Sequence, residues 1–183
     1  MVSLMQHVLS PILLSFLTLC LTIVGTAKSR GQGSQPPLTT CIDAVGTYLT
    51  INNAKGETSG SFRSRSLISL TNGGHAFLTD TGEGGEPDFG PFSDGRGAWR
   101  CVSNEGGVTR FAATVLDFTF VTASHPKQLI GRLDILGAYD AGAQKLIGKM
   151  ALYLLPISSD PFAKLEQEAN VVGAFEGKKI VVP

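Results

Sequence analysis

The stretch LIGRLDILGAYD, residues 129 to 140, alternates apolar and polar side chains. Leu129, Leu133, Ile135 and Tyr139 share one parity, and the charged residues Arg132 and Asp134 share the other. After a short AG turn, QKLIGKMALYLLP (144–156) repeats the pattern. Its two lysines, Lys145 and Lys149, have the opposite parity to Leu146, Met150, Leu152 and Leu154. A period of two with one polar face is typical of antiparallel strands that bury their other face. The pair therefore predicts a β-hairpin on the wall of an all-β domain.

Six further stretches have a similar character, with turn-forming Gly, Asn and Ser between them. The eight predicted strands are 44–51, 63–71, 75–80, 95–103, 108–122, 129–140, 144–156 and 171–182. Sequential strands joined mostly by short turns favour an antiparallel up-and-down eight-stranded β-barrel, which leaves no exposed sheet edge. A two-sheet β-sandwich has the same local pattern and is the alternative.

The N-terminal region predicts export. Residues 8–24 are almost wholly apolar, and a small-x-small site follows that would place cleavage after Ala27. We interpret 1–27 as a signal peptide, 28–40 as a flexible leader and 41–183 as a single barrel domain, in a secreted or periplasmic protein. An uncleaved membrane anchor is the alternative, and it would be the protein's one contact with a membrane.

Charge and motif content exclude several functional classes. The chain has 15 basic and 15 acidic residues, so no excess of positive charge predicts a nucleic-acid partner. It has neither CxxC nor HExxH, and no metal site or cofactor is expected. No Ser, Cys or Asp stands with a histidine at a recognisable triad spacing, so catalytic residues stay unknown and a non-enzymatic protein is favoured.

Two cysteines remain after the predicted cleavage site, Cys41 and Cys101. In an oxidising compartment a single disulfide between them is the economical prediction. Two inert thiols or one reactive cysteine are the alternatives. A reactive thiol would need a basic partner, and Arg100 points to the opposite face of a strand from Cys101.

Several motifs along the chain resemble those of lipocalin-like (calycin) β-barrels. They are Gly46 and Tyr48 at the first strand, the strand-turn-strand SLISLTNGGHAFLTD (66–80), Gly95, Gly97 and Trp99, and a final Gly173, Gly177 and Ile180. The resemblance implies a barrel that holds a small hydrophobic ligand. The chain is also similar in length and strand number to allene oxide cyclase and dirigent barrels, although no motif carries a catalytic position over from them.

Candidate ligand contacts are aromatic or cationic residues near the expected barrel mouth or interior: Tyr48, Arg63, Arg65, Phe89, Phe92, Trp99 and Tyr139. Each has a structural alternative. Phe89 and Phe92 would form a lid or plug the core, the two arginines would anchor a ligand carboxylate or be solvated, and Trp99 would line a cavity or plug one end beside Cys101.

Acidic residues give weaker signals. Glu83, Glu86, Asp88 and Asp94 lie in one glycine-rich loop, which we interpret as a loop at the barrel mouth rather than as a calcium site, because the spacing fits no calcium motif. Asp117, within the apolar run ATVLDFTF, is expected to face outward.

Three functions follow from a barrel of this size, whose interior either is filled by side chains or holds one small ligand. The leading hypothesis is a protein that binds a small hydrophobic molecule. The second is a cofactor-free cyclase or isomerase, and the third is a filled barrel that acts through its outer surface as a homo-oligomer. An apolar cavity above about 300 Å³ would favour the first two, and a filled interior the third.

Overall fold

The computed structural model describes residues 36–54, 62–85 and 90–181. Several features expected from the sequence lie outside these residues: the signal peptide (1–27), the first part of the leader (28–35), Glu86, Asp88 and Phe89. Within the described ranges, no helix is both long and apolar enough to cross a membrane.

Eight antiparallel strands close into one barrel in sequence order, with β1 paired to both β2 and β8. The strands are β1 (Gly46–Ala54), β2 (Phe62–Leu70), β3 (His75–Asp80), β4 (Gly95–Glu105), β5 (Val108–Phe118), β6 (Leu129–Asp140), β7 (Lys145–Pro156) and β8 (Val171–Lys179). The predicted up-and-down barrel is confirmed, and the sandwich is excluded because every strand pairs with both neighbours. The architecture is compatible with a lipocalin-like barrel.

The alternation that predicted β6 and β7 corresponds to the two faces of the barrel wall. Ile135 and Tyr139 are buried on the inner face of β6, while Leu136 is exposed on its outer face. In β7, Leu146 is buried and Lys145 and its neighbour Ile147 are exposed. The period of two therefore sorts side chains between the core and solvent, and it sets the register of the hairpin.

Aromatic side chains fill one end of the barrel. Tyr48, Phe111 and Phe175 are almost completely buried there, and the rings of Tyr48 and Tyr139 meet edge to face at 5.4 Å between centroids. The ring of Phe111 lies against Gly137 on the neighbouring strand, where any Cβ would overlap it. The missing side chain makes room for the ring, and this end is consequently close-packed.

A 3₁₀ helix, Leu38–Ala44, closes the filled end and begins inside the predicted leader. Cys41 in this helix lies at disulfide distance from Cys101 in β4, with 5.7 Å between their Cα atoms. The Tyr48 hydroxyl donates a hydrogen bond to the Ala44 carbonyl at 2.7 Å, which ties the helix to β1 as well. With one end filled and capped, the interior cavity that the described residues line lies toward the other end.

Candidate functional site

A cavity of about 100 Å³ lies in the half of the barrel away from the 3₁₀ helix. Among the described residues, its lining comes from every strand except β4 and from the loops that follow β3 and β5. Because the lining side chains come from opposite sides of the wall, the cavity lies inside the barrel.

One side of the cavity is apolar. Its lining side chains come from β6, β7 and β8 and are Leu133, Met150, Leu152, Leu154 and Val171. Leu133 and Leu152 are direct partners in the β6–β7 register, so they present a continuous apolar surface. This side suits the hydrocarbon part of a ligand.

The other side is a hydrogen-bonded polar cluster made by β1, β2 and β3. The Asn52 side-chain amide donates to Ser64 Oγ at 2.9 Å and to Ser66 Oγ at 2.6 Å. Both serine hydroxyls donate in turn to Asp80 Oδ2, and the Gly82 amide donates to Asp80 Oδ1 at 2.7 Å. These donors compensate the carboxylate for its loss of water. The cluster is therefore an ordered polar wall.

Sequence reasoning missed this cluster, although β2 carried a signal for it. Ser64 and Ser66 share parity with Ile68 and Leu70, and all four are buried on the inner face. The inner face of β2 thus changes from apolar at the filled end to polar at the cavity. Small polar residues that continue an apolar parity were the observable sign.

Asp117 also lines the cavity, so the expectation that it faces outward is wrong. It shares parity with Phe111 and Val115, which are both buried in the barrel. Its register partner is Gly131 on β6, where a Cβ would overlap the Asp117 carboxyl group. Gly131 thus makes space for the carboxyl group inside the barrel. The sequence around Asp117 is apolar on both parities, so it did not indicate which way this side chain points.

Burial shifts the acid-base behaviour of Asp117. Loss of water raises the pKa of its carboxyl group from 3.8 to about 6, the hydrogen bond from the Gly131 amide opposes this rise, and the negative charge of Glu83 adds to it. Desolvation disfavours the charged form of a carboxyl group. Asp117 therefore exchanges its proton near neutral pH, as a general acid or base does.

Thr119 lies two residues beyond Asp117 and also lines the cavity. Its buried hydroxyl accepts a hydrogen bond from the Leu129 amide at 2.8 Å. A hydroxyl that accepts one bond still has its own hydrogen to donate. Residues two apart on an extended chain point to the same side at a spacing of about 7 Å. A carboxyl group and a hydroxyl donor therefore stand side by side in the cavity wall.

The three aromatic candidates outside the loops do not line the cavity. Tyr48, Trp99 and Tyr139 are buried in the filled half of the barrel. The Trp99 indole N–H donates to the Thr71 carbonyl at 2.8 Å, and its ring meets Phe111 edge to face. Trp99 occupies the position of a plug beside Cys101, which was one of its two predicted roles.

The remaining candidates lie nearer the mouth. Arg63 and Phe92 line the cavity, whereas Arg65 is exposed on the outer face of β2. Arg63 and Phe92 thus join the polar cluster and Asp117 around one space, while Arg65 does not contribute to it. Phe89 lies outside the described residues.

The acidic loop after β3 has internal contacts. Glu83 accepts a hydrogen bond from the Asp80 amide at 2.8 Å, and Asp94 accepts one from the Thr79 hydroxyl at 2.8 Å. Burial, followed by the neighbouring charge and hydrogen bond of Asp94, raises the pKa of Glu83. Within the described part of the chain, no group of three or more His, Cys, Asp or Glu residues is placed to hold a metal ion.

Comparisons with protein-family models, curated proteins and solved structures gave no match to this chain.

Proposed function

We propose that this protein binds a small organic molecule with an apolar body and one oxygen-containing polar group in the open half of the barrel. The observation that carries the proposal is the two-sided cavity, with apolar side chains from β6 and β7 opposite the cluster built on Asp80. Binding sites typically combine a mainly apolar lining with a few fixed polar groups.

The cavity volume restricts the size of the ligand. About 100 Å³ is well below the 300 Å³ or more that is usual for a drug-sized molecule. Engineered apolar cavities of about 150 Å³ bind benzene. The proposed ligand is therefore a small ring or short chain, or one end of a longer molecule whose remainder lies at the mouth.

The two cysteines support the part of this proposal that concerns the compartment. Cys41 and Cys101 lie at disulfide distance, which is consistent with an extracellular location. Under this proposal the protein meets its ligand outside the cytoplasm, as a secreted or periplasmic binding protein. Release of the protein into the medium without residues 1–27, measured by intact mass, is the expected outcome.

Binding is tested by NMR with the leucine methyl groups labelled. Cyclopentanone, cyclopentanol and cyclopentane serve as probes of the same ring size with different polar groups. We expect the oxygen-containing probes to shift the methyl signals of Leu133 and Leu152 more than cyclopentane does, because only they can bond to the polar wall.

A matched pair of variants controls for nonspecific binding. Leu152→Trp places a larger side chain in the cavity and should abolish the shifts at Leu133. Leu136→Trp adds the same ring on the outer face of β6, where Leu136 is 67% exposed, and should leave them unchanged. If none of the probes shifts the cavity methyl groups, the proposed function is wrong.

A further inference from the structure

We propose that the cavity catalyses proton transfer at a carbon atom beside a carbonyl group, with Asp117 as the base and Thr119 as the donor to the carbonyl oxygen. This inference rests on the proposed function, because it requires a carbonyl compound to occupy the cavity. It favours the isomerase or cyclase alternative over a purely binding role.

The first support is the difference between the two carboxyl groups that line the cavity. Asp80 already accepts hydrogen bonds from Asn52, from the hydroxyls of Ser64 and Ser66, and from the Gly82 amide. Asp117 has a backbone donor at Gly131 and faces the cavity. A carboxylate accepts about four hydrogen bonds. Asp80 is thus occupied by its role in the fold, whereas Asp117 retains capacity toward a ligand.

The second support is the donor beside the base. The Thr119 oxygen is held in place by the Leu129 amide, so its hydrogen is directed away from that amide. A donor fixed beside a base can stabilise the negative charge that develops on a carbonyl oxygen when the neighbouring carbon loses a proton. Asp117 and Thr119 supply these two functions from adjacent inward positions of one chain segment.

The reaction is balanced without a cofactor. The Asp117 carboxylate takes a proton from the carbon next to the carbonyl, and the C–H electron pair forms a carbon–carbon double bond. The carbonyl π electrons move to oxygen, which accepts the hydrogen bond from Thr119. The Asp117 carboxylic acid exchanges its proton with solvent and then donates a proton, or a deuteron in D₂O, to the same carbon or to another carbon of a conjugated substrate, which regenerates the carboxylate.

Charged groups around the site set its pH dependence. Glu83 acts on Asp117 electrostatically, and Asp80 and Arg63 line the same cavity from β3 and β2. On the flanking strand β6, the residue opposite Asp117 is Gly131, which carries no charge. Because the base must be ionised, the rate should rise with pH through about 6, where the pKa of Asp117 lies.

The test measures hydrogen–deuterium exchange of cyclopentanone in D₂O with the intact, disulfide-bonded protein. Loss of the α-proton NMR signal reports the rate, and the methyl shifts of Leu133 report binding in the same samples. General base catalysis contributes about 10² to 10⁴ in rate. We expect Asp117→Asn to lower the exchange rate at least about 100-fold and to change the dissociation constant less than about threefold.

Matched variants separate chemistry from structure. Asp134→Asn, on the outer face of the adjacent strand, should keep the wild-type rate. Thr119→Val should lower the rate about tenfold without moving the pH midpoint, and Thr119→Ser should restore it, because serine keeps the hydroxyl group.

The outcomes distinguish the inference from the proposed function. Binding without exchange, or an equal rate in Asp117→Asn and the wild-type protein, overturns the inference and leaves the binding function in place. Binding of cyclopentanol but not cyclopentanone overturns the carbonyl substrate class, and with it the inference. If neither cyclopentanol nor cyclopentanone binds, both the proposed binding function and the proposed proton transfer are wrong.

Discussion

Replacing Asp117 by asparagine should stabilise the fold at neutral pH. The carboxyl group has a pKa of 3.8 when solvated and about 6 in the barrel. The folded state therefore binds this proton more tightly than the unfolded state does. Above pH 6 the folded protein carries a buried charge that the unfolded chain exposes to water, which destabilises the native state.

The magnitude follows from the two pKa values. Each unit of pKa corresponds to about 1.4 kcal/mol, so ionised Asp117 costs at most about 3 kcal/mol of folding stability above pH 6. The cost shrinks as the pH falls from 6 to 3.8, and it disappears only well below pH 3.8, where the group is protonated in both the folded and the unfolded state. Asparagine has nearly the same shape, its oxygen can accept the Gly131 hydrogen bond, and it carries no charge. Since its amide must still be hydrated in the cavity, we expect a gain of about 1 to 3 kcal/mol at pH 7.5.

Urea unfolding at pH 7.5 and at pH 4.0 measures this gain. The Asp117→Asn variant should be more stable than the wild-type protein at pH 7.5, and the contribution of the buried charge to this difference should shrink to about 0.5 kcal/mol at pH 4.0. The matched control is Asp134→Asn on the outer face of β6, where Asp134 pairs with Arg132 at 2.9 Å. Loss of that pair should lower stability by up to about 1 kcal/mol at pH 7.5, a change opposite in sign to the gain expected for Asp117→Asn.

Two results would refute the conclusion that ionised Asp117 destabilises the fold. One is a gain in stability for Asp117→Asn that is the same at both pH values, and the other is no gain at pH 7.5. If the variant is more stable but no longer exchanges cyclopentanone protons, then Asp117 supports catalysis in the wild-type protein at a cost in folding stability.

Two further predictions concern the filled half of the barrel. Replacing Cys41 and Cys101 together by serine should lower the free energy of unfolding by up to about 4 kcal/mol, because a bond between residues 60 positions apart restricts the unfolded chain; an unchanged urea midpoint would contradict this. Gly137→Ala should destabilise by about 1 to 3 kcal/mol, because its Cβ would overlap the Phe111 ring. Gly84→Ala, whose Cβ would have no neighbour within 4 Å, is the control in thermal unfolding, and equal losses in the two variants would argue against the overlap.

Much of the fold was predictable because the information is local. Alternating or apolar runs between turn residues are properties of neighbouring residues, and such runs located all eight strands; β6, for example, has the predicted bounds, Leu129–Asp140. The tight turn after β2 was visible as NGG, in which Gly74 has a φ of 79° that favours glycine. The cysteine pair at disulfide distance was also predicted from count and compartment, since only two cysteines remained to pair.

The candidate site was less predictable, because its residues meet only when distant strands pair. The polar cluster joins Asn52, Ser64 and Asp80 from three strands, and no local motif connects them. Asp117 was placed on the wrong face because the run ATVLDFTF is apolar on both parities. Only the pairing of β5 with β6 shows that Asp117 shares the inner face with Phe111, opposite a glycine that admits its carboxyl group.

The amino-acid sequence by itself determined the period of the strands and their order, because backbone pleating converts alternation directly into an inner and an outer face. Closure into a barrel rather than a two-sheet sandwich was decided by the tertiary structure, in which β1 pairs with β8. Which half of the interior is filled was decided by the tertiary structure. Phe111 fills space only because Gly137 on the next strand leaves it open, whereas the small side chains of Ser64 and Ser66 on β2 line the cavity. The cavity is the volume left between side chains from opposite walls, and that depends on packing in three dimensions.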